Sequence, residues 1–157
     1  MDRSFIERYA KDAKALGAAI EGLTKSELTA YPVPGTWSIQ QIVFHMLDSE
    51  LIAGDRMKRI IAMENPLLIG YDETAFANRL FYQELEASLA CEMVEKNRLL
   101  TAEILRRLPD EAFQRSGIHS ERGKIALGDY VVSMADHLDH HLKFIRQKRE
   151  MLGKPVA

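Results

Sequence analysis

Apolar residues recur every three or four positions through most of this chain, and the stretches that break the rhythm are short and rich in proline, glycine or asparagine. From about Ser4 to Glu21, the residues Phe5, Ile6, Tyr9, Ala13, Leu16 and Ile20 fall on one helical stripe, and Gly22 is a natural stop. Tyr31-Pro32-Val33-Pro34-Gly35 then rules out regular structure. A second helix begins at Ser38, where Ser38-x-x-Gln41 has the form of a capping box. It runs to about Met63, carrying Ile39, Ile42, Val43, Met46, Leu47 and Ile60, and Asn65-Pro66 ends it. After a loop from Pro66 to about Asp72, a long helical stretch extends from Glu73 to Leu108 with a break near Asn78, and Pro109 closes it. Residues 110–126, with Gly117, His119 and Gly123, read as a third loop. The last helix spans about Leu127 to Met151 and stops at Gly153-Lys154-Pro155. Little in the pattern resembles a strand. The expectation is an all-α fold, a four-helix bundle forming one domain over residues 1–157.

Composition narrows the function. A chain of 157 residues with 46% hydrophobic and 28% charged residues suits one sizeable core. A net charge of −2 and a pI near 6.2 supply no basic field for nucleic acid or for a membrane surface. The single cysteine, Cys91, excludes an intramolecular disulfide framework and reads as a small buried hydrophobe. No apolar run reaches the ~18–20 residues that cross a bilayer, and Met1-Asp2-Arg3-Ser4-Phe5 lacks the apolar segment of a signal peptide. A soluble cytoplasmic domain is expected.

Three of the five histidines crowd into Asp136-His137-Leu138-Asp139-His140-His141. With roughly 100° per residue and His137 at zero, Tyr130, Val131, Met134, Leu138, Leu142 and Ile145 fall between about +20° and +140°. His141 lies inside that arc near +40°, His137 at its edge, and His140 outside it near −60°. Histidines at i and i+4 can reach one metal ion, and a third ligand from another helix would complete a triad. Two buried, hydrogen-bonded core histidines are the plainer reading of the same spacing. His45, on the second helix beside Ile42, Met46 and Ala53, is the candidate third ligand. Asp48, three residues on, could hold its second nitrogen, bind the metal, or orient a water. His45 as an edge-of-core histidine and Asp48 as a solvated carboxylate are the alternatives. His119 reads as a surface loop histidine, with a substrate-facing place at the bundle mouth as the alternative. Trp37 reads as a packing anchor rather than a site-lining residue. Tyr71-Asp72-Glu73 reads as the cap of the third helix, with covering one end of the bundle as the alternative. Arg146, Lys148 and Arg149 complement the dipole of the last helix.

The segment Trp37-Ser38-Ile39-Gln40-Gln41-Ile42-Val43-Phe44-His45-Met46-Leu47-Asp48 resembles the opening of the second helix in the DinB/YfiT-like superfamily. The stretch from Gly123 to Ile145, containing His137-Leu138-Asp139-His140-His141, resembles that family's last block. The resemblance implies an up-down-down-up bundle and a divalent metal at one end of the core. Carried over position by position, it implies His45, His137 and His141 as metal ligands, nickel or zinc as the metal, and a homodimer. Ala126 departs from the pattern, standing where a Thr or Ser cap is expected. Three imidazoles would leave coordination positions open, as in catalytic sites. The leading expectation is a metal-dependent transferase of the thiol S-transferase type with a low-molecular-weight thiol as cosubstrate. A metal-dependent hydrolase at the same site, and a non-catalytic metal-binding or stress-response dimer module, stand as alternatives.

Overall fold

Ser38 opens its helix as its position predicts: its hydroxyl accepts from the Gln41 backbone N–H at 3.1 Å, and the Gln41 side chain accepts from the Ser38 N–H at 3.0 Å. The computed structural model describes residues 2–156. The first segment is α1 (Ser4–Lys11), a 3₁₀ turn over Asp12–Lys14, and α2 (Ala15–Ile20), followed by a short α3 (Lys25–Thr29). The long helices are α4 (Ile39–Ala62), α6 (Ala87–Arg106) and α7 (Leu127–Met151), with α5 (Glu73–Arg79) between α4 and α6. α4 and α1 each pack on both α6 and α7, so α1 lies diagonally across the bundle from α4.

Side-chain contacts fix the direction of each helix. Glu7 near the start of α1 meets Arg106 at the end of α6, so these two run antiparallel. Ser38 and Gln40 meet Gln83 and Leu85, which places the starts of α4 and α6 together. Arg56 meets Tyr130 while Thr36 meets Lys148, so α4 and α7 are antiparallel. The order is therefore up-down-down-up. Among the described residues no helix is long and apolar enough to cross a membrane.

The structure departs from the sequence reading in three places. The first helical stretch, read from Ser4 to Glu21, is interrupted by the 3₁₀ turn at Asp12–Lys14, whereas the break expected near Asn78 is present, following Arg79 over residues 80–86, with Phe81 in the left-handed region at φ 58°. The expected loop 110–126 holds two strands, β2 (Ser116–His119) and β3 (Gly123–Ala126), which join β1 (Leu67–Leu68) in a three-stranded sheet of order β1-β2-β3. β1 pairs parallel to β2, and β2 antiparallel to β3, with His119 opposite Gly123. Gly123 takes φ 73° after a three-residue turn, a conformation that favours glycine. Gly117 is there for closeness: a Cβ would stand 2.8 Å from the Leu68 side chain. Lys148 and Arg149, thirdly, do more than face a helix dipole. Both are buried; Lys148 donates to the Thr36 hydroxyl at 2.5 Å, and Arg149 donates to the carbonyls of Ala19 and Glu21, tying the last helix to the end of α2.

The apolar interior divides into two clusters. One gathers Leu16, Ile42, Met46, Val94, Leu138 and Leu142, and the other Tyr9, Ala53, Met57, Ala102, Val131 and Met134. Between them, at the level of Glu50, Arg98 and His137, the bundle is polar. Glu50 and Arg98 are each fully buried. Arg98 Nε donates to Glu50 Oε1 at 3.0 Å, its Nη2 donates to the Met134 carbonyl at 2.8 Å, and the Tyr9 hydroxyl donates to Glu50 Oε2 at 3.0 Å.

Candidate metal centre

His45 sits roughly two turns into α4 and faces α7, where His137 and His141 lie one turn apart on a single face. The structure brings the three together. His137 Nε2 is 3.2 Å from His45 Nε2 and 3.1 Å from His141 Nε2, and one ring nitrogen from each histidine lies within 4.8 Å of the others. His45 is buried and the other two are half-buried. Zinc–imidazole bonds of about 2.0–2.1 Å at tetrahedral angles would space ligand nitrogens roughly 3.3 Å apart. The two spacings to His137 Nε2 fit that demand, and the donor set of three neutral imidazoles suits a borderline divalent cation.

All three imidazoles favour the neutral form that ligation requires. Burial is the main cause, and nearby positive or imidazole groups add to it: His137 for His45, His140 and Arg98 for His137, and His137, His45 and His140 for His141. The pKa values fall to about 4 for His45, about 4 for His137 and about 3 for His141. In the unfolded chain each takes up its proton near ~6.5. Between those values the unfolded state binds more protons, so the metal-free protein loses stability as pH falls from neutrality through 6.5 and on to the folded pKa values. The urea midpoint of metal-free protein is expected to drop across that window, and a His141→Gln variant to show a shallower drop. Equal slopes would mean that the histidines do not titrate as placed.

The outward nitrogen of His45 shows what orients the cluster. His45 Nδ1 lies 3.5 Å from Glu73 Oε2 and 3.4 Å from the Tyr71 hydroxyl, which is itself 2.6 Å from Ser49 Oγ. A carboxylate there keeps a proton on Nδ1 and leaves the Nε2 lone pair for a cation. Burial raises the Tyr71 hydroxyl to about 12, so it stays a proton donor at neutral pH. Sequence reading missed both roles. Asp72 caps α5 as expected, accepting from the Ala75 N–H at 2.8 Å, but its two neighbours turn to His45. The small sheet delivers them: Ile118 N–H donates to the Pro66 carbonyl, Ser120 N–H to the Leu68 carbonyl, and Gly70 N–H to Ser120 Oγ. The 66–72 segment is thereby pinned across the histidines.

Asp48 is placed differently from the three histidines. Its carboxylate accepts from the Tyr82 hydroxyl and does not join the converging nitrogens. Burial raises its pKa against the lowering effect of that hydrogen bond. His140 is exposed, its ring 4.7 Å from that of Phe144. His119, expected on the surface, is 5% exposed and accepts the Glu121 N–H at Nδ1, because β2 turns it inward. Trp37 packs against the core as expected, and its ring also lies 5.0 Å from the His45 ring.

Two cavities flank the cluster. On the His141 side is an apolar slot of about 210 Å³ walled by Val33, Trp37, Ile42 and Phe144. On the His137 side is a polar cavity of about 410 Å³ that includes Ser49, Tyr71 and Tyr130. The arrangement can hold a cation on three nitrogens while leaving approach from both sides.

Three curated relatives bear names beginning "Putative metal-dependent hydrolase". OB0782 of Oceanobacillus iheyensis is 32% identical over 111 residues, 71% of this chain and 64% of its own length, so the alignment spans just under two thirds of that relative. OB0413 of the same organism is 28% identical over 90% of this chain and 79% of its own. YfiT of Bacillus subtilis is 28% identical over 88% of this chain and 78% of its own. A solved structure of Bacillus subtilis YfiT, described as a probable metal-dependent hydrolase with an unusual four-helix bundle topology, superposes with a TM-score of 0.90 at 24% identity, covering 98% of this chain and 90% of that one. It shares the fold. A family model described as the DinB superfamily matches residues 8–145, a span that includes all three converging histidines, and the chain belongs to the DinB/YfiT-like superfamily.

Proposed function

We propose that His45, His137 and His141 hold a divalent cation, nickel or zinc, through their Nε2 atoms, and that the protein is a metal-dependent hydrolase of a small molecule. The observation that carries this reading is the convergence of three neutral ring nitrogens on one point between two cavities. The names of the relatives support the hydrolytic class. A cation bound there would supply Lewis acidity to a substrate oxygen and to water. The chain's own residues do the rest. Glu73 and Tyr71 hold His45 in the tautomer that presents Nε2. Trp37 and Phe144 give the His141 side an apolar wall. The Tyr71 hydroxyl, protonated at neutral pH, lines the His137-side cavity and can donate a hydrogen bond there.

Thiol transfer would use the same three nitrogens but needs a thiol from outside. Cys91 is buried, its thiol pushed up to about 12 by burial, and it faces a different cavity between α2 and α6. The test is metal content by elemental analysis, followed by turnover of ester, amide and phosphoester panels with and without added low-molecular-weight thiol. About one metal per chain and metal-dependent hydrolysis without thiol are expected. Turnover only with thiol would reassign the reaction to transfer, and protein that stays metal-free after incubation with zinc or nickel would overturn the proposal.

A further inference from the structure

We propose that the cavity on the His137 side is an anion subsite, in which Arg56 and Arg122 receive a carboxylate or phosphate group of the substrate. The proposal rests on the histidine cluster being the reaction centre and names the substrate class that this centre would take.

Arg56 is the observation that leads here. Its side chain extends from α4 and is 8% exposed. Nη1 donates to the Tyr130 hydroxyl at 3.0 Å, Nη2 donates to the Ile69 carbonyl, and Nε has no partner. Both partners are neutral, and among the described residues no carboxylate pairs with it. A buried cation is ordinarily compensated by an anion, because desolvation disfavours it otherwise. Of the other buried arginines, Arg98 has Glu50, and Arg149 at the end of α7 is satisfied by the carbonyls of Ala19, Glu21 and Lys154. Arg56 has a cavity instead.

The lining carries the same sign. Arg122, exposed in the turn between β2 and β3, adds a second guanidinium to the wall. The one carboxylate in the lining, Asp136, is already engaged by Arg8 at 2.7 Å. Glu73 faces His45 Nδ1 and is outside the lining. Hydroxyls of Ser49, Tyr71, Tyr130 and Ser133 complete the wall. Guanidinium groups with adjacent hydroxyls are the donors that recognise carboxylate and phosphate oxygens. His137 lines the same cavity, so an anion held there fixes the rest of the molecule beside the converging nitrogens. Binding energy at a non-reacting group can then be used to position the reacting one. The slot on the His141 side, walled by Val33, Trp37, Ile42 and Phe144, offers no comparable charge near its apolar wall apart from Lys148, which is engaged with Thr36.

The experiment uses metal-free, ¹⁵N-labelled full-length protein at neutral pH, so that no cation contributes to anion binding. Inorganic phosphate, acetate and, as an uncharged control, acetamide are titrated and followed by NMR. Phosphate or acetate should shift resonances of residues 119–123 and 133–140, and acetamide should not. Whichever anion binds more tightly identifies the group. Loss of a charge-assisted donor should weaken binding about ten-fold in Arg56→Met and at least about three-fold in Arg122→Glu. Arg122 is exposed, so its variant keeps the test alive if Arg56→Met fails to fold. Anion shifts that map elsewhere, that equal those of acetamide, or that persist unchanged in Arg122→Glu would overturn the subsite. Anion binding in a protein that neither takes up metal nor hydrolyses would overturn the function proposed above and leave the subsite standing.

Discussion

Replacing Arg98 with alanine is expected to cost about 3–5 kcal/mol of folding stability, the penalty for leaving one partner of a buried ion pair uncompensated. Arg98 is fully buried between the two apolar clusters, with Glu50 Oε1 at 3.0 Å, the Met134 carbonyl at 2.8 Å and the Tyr9 ring 4.4 Å from its guanidinium carbon. Removing it strands the Glu50 carboxylate, also fully buried, with only the Tyr9 hydroxyl as donor. Burial already raises the Glu50 pKa, and Arg98 and Tyr9 work against that rise. Without Arg98 the acid form gains further, so the loss measured in urea at neutral pH should shrink in acid, where Glu50 can protonate. Replacing both partners with methionine should recover most of the stability, since apolar residues of similar volume commonly match a buried pair. An Arg98→Ala variant with an unchanged urea midpoint would show that the pair adds nothing to the fold.

Sequence reading missed that pair, although the spacing along two helices carries its signal. Along α6 the buried positions Ala87, Cys91, Val94, Arg98, Thr101 and Leu105 step by four and three, and along α4 Met46, Glu50, Ala53, Met57 and Ile60 do the same. A charged residue in register with an apolar stripe marks a buried pair when a second helix carries its opposite. The bundle and the three histidines were read from the sequence, because helical periodicity is local and persistent, and because the buried arc of α7 from Tyr130 to Ile145 already separated His137 and His141 from His140. The sheet was not. Its strands are two to four residues long, too short for alternation to register, and β1 meets β2 about fifty residues further along the chain. Tyr71 and Glu73 were missed with it, since nothing within residues 66–73 shows that a distant hairpin pins them over His45.

Among substitutions at the centre itself, His137→Ala should have the largest effect on metal binding, because His137 Nε2 is the atom near both of the other ring nitrogens, at 3.2 and 3.1 Å. Only two imidazoles, on different helices with ring centroids 4.7 Å apart, would remain. Glu73→Gln is the graded comparison: the amide keeps the shape but not the charge opposite His45 Nδ1, and loss of such an orienting partner costs about 10–100-fold in metal affinity or activity. His137→Ala should exceed that range and take metal-dependent turnover to background. His140→Ala should change neither, since its exposed ring sits against Phe144 outside the convergence. Competition with a chromophoric chelator, run beside thermal unfolding of the metal-free variants, separates the cases. A His137→Ala protein that folds but fails to compete, with Glu73→Gln intermediate and His140→Ala intact, is the expected order. If His140→Ala weakens binding as much as His137→Ala, the ligand set is wrong. If Glu73→Gln leaves affinity untouched, the His45 tautomer is held by Tyr71 alone, and Tyr71→Phe should then take over the graded loss.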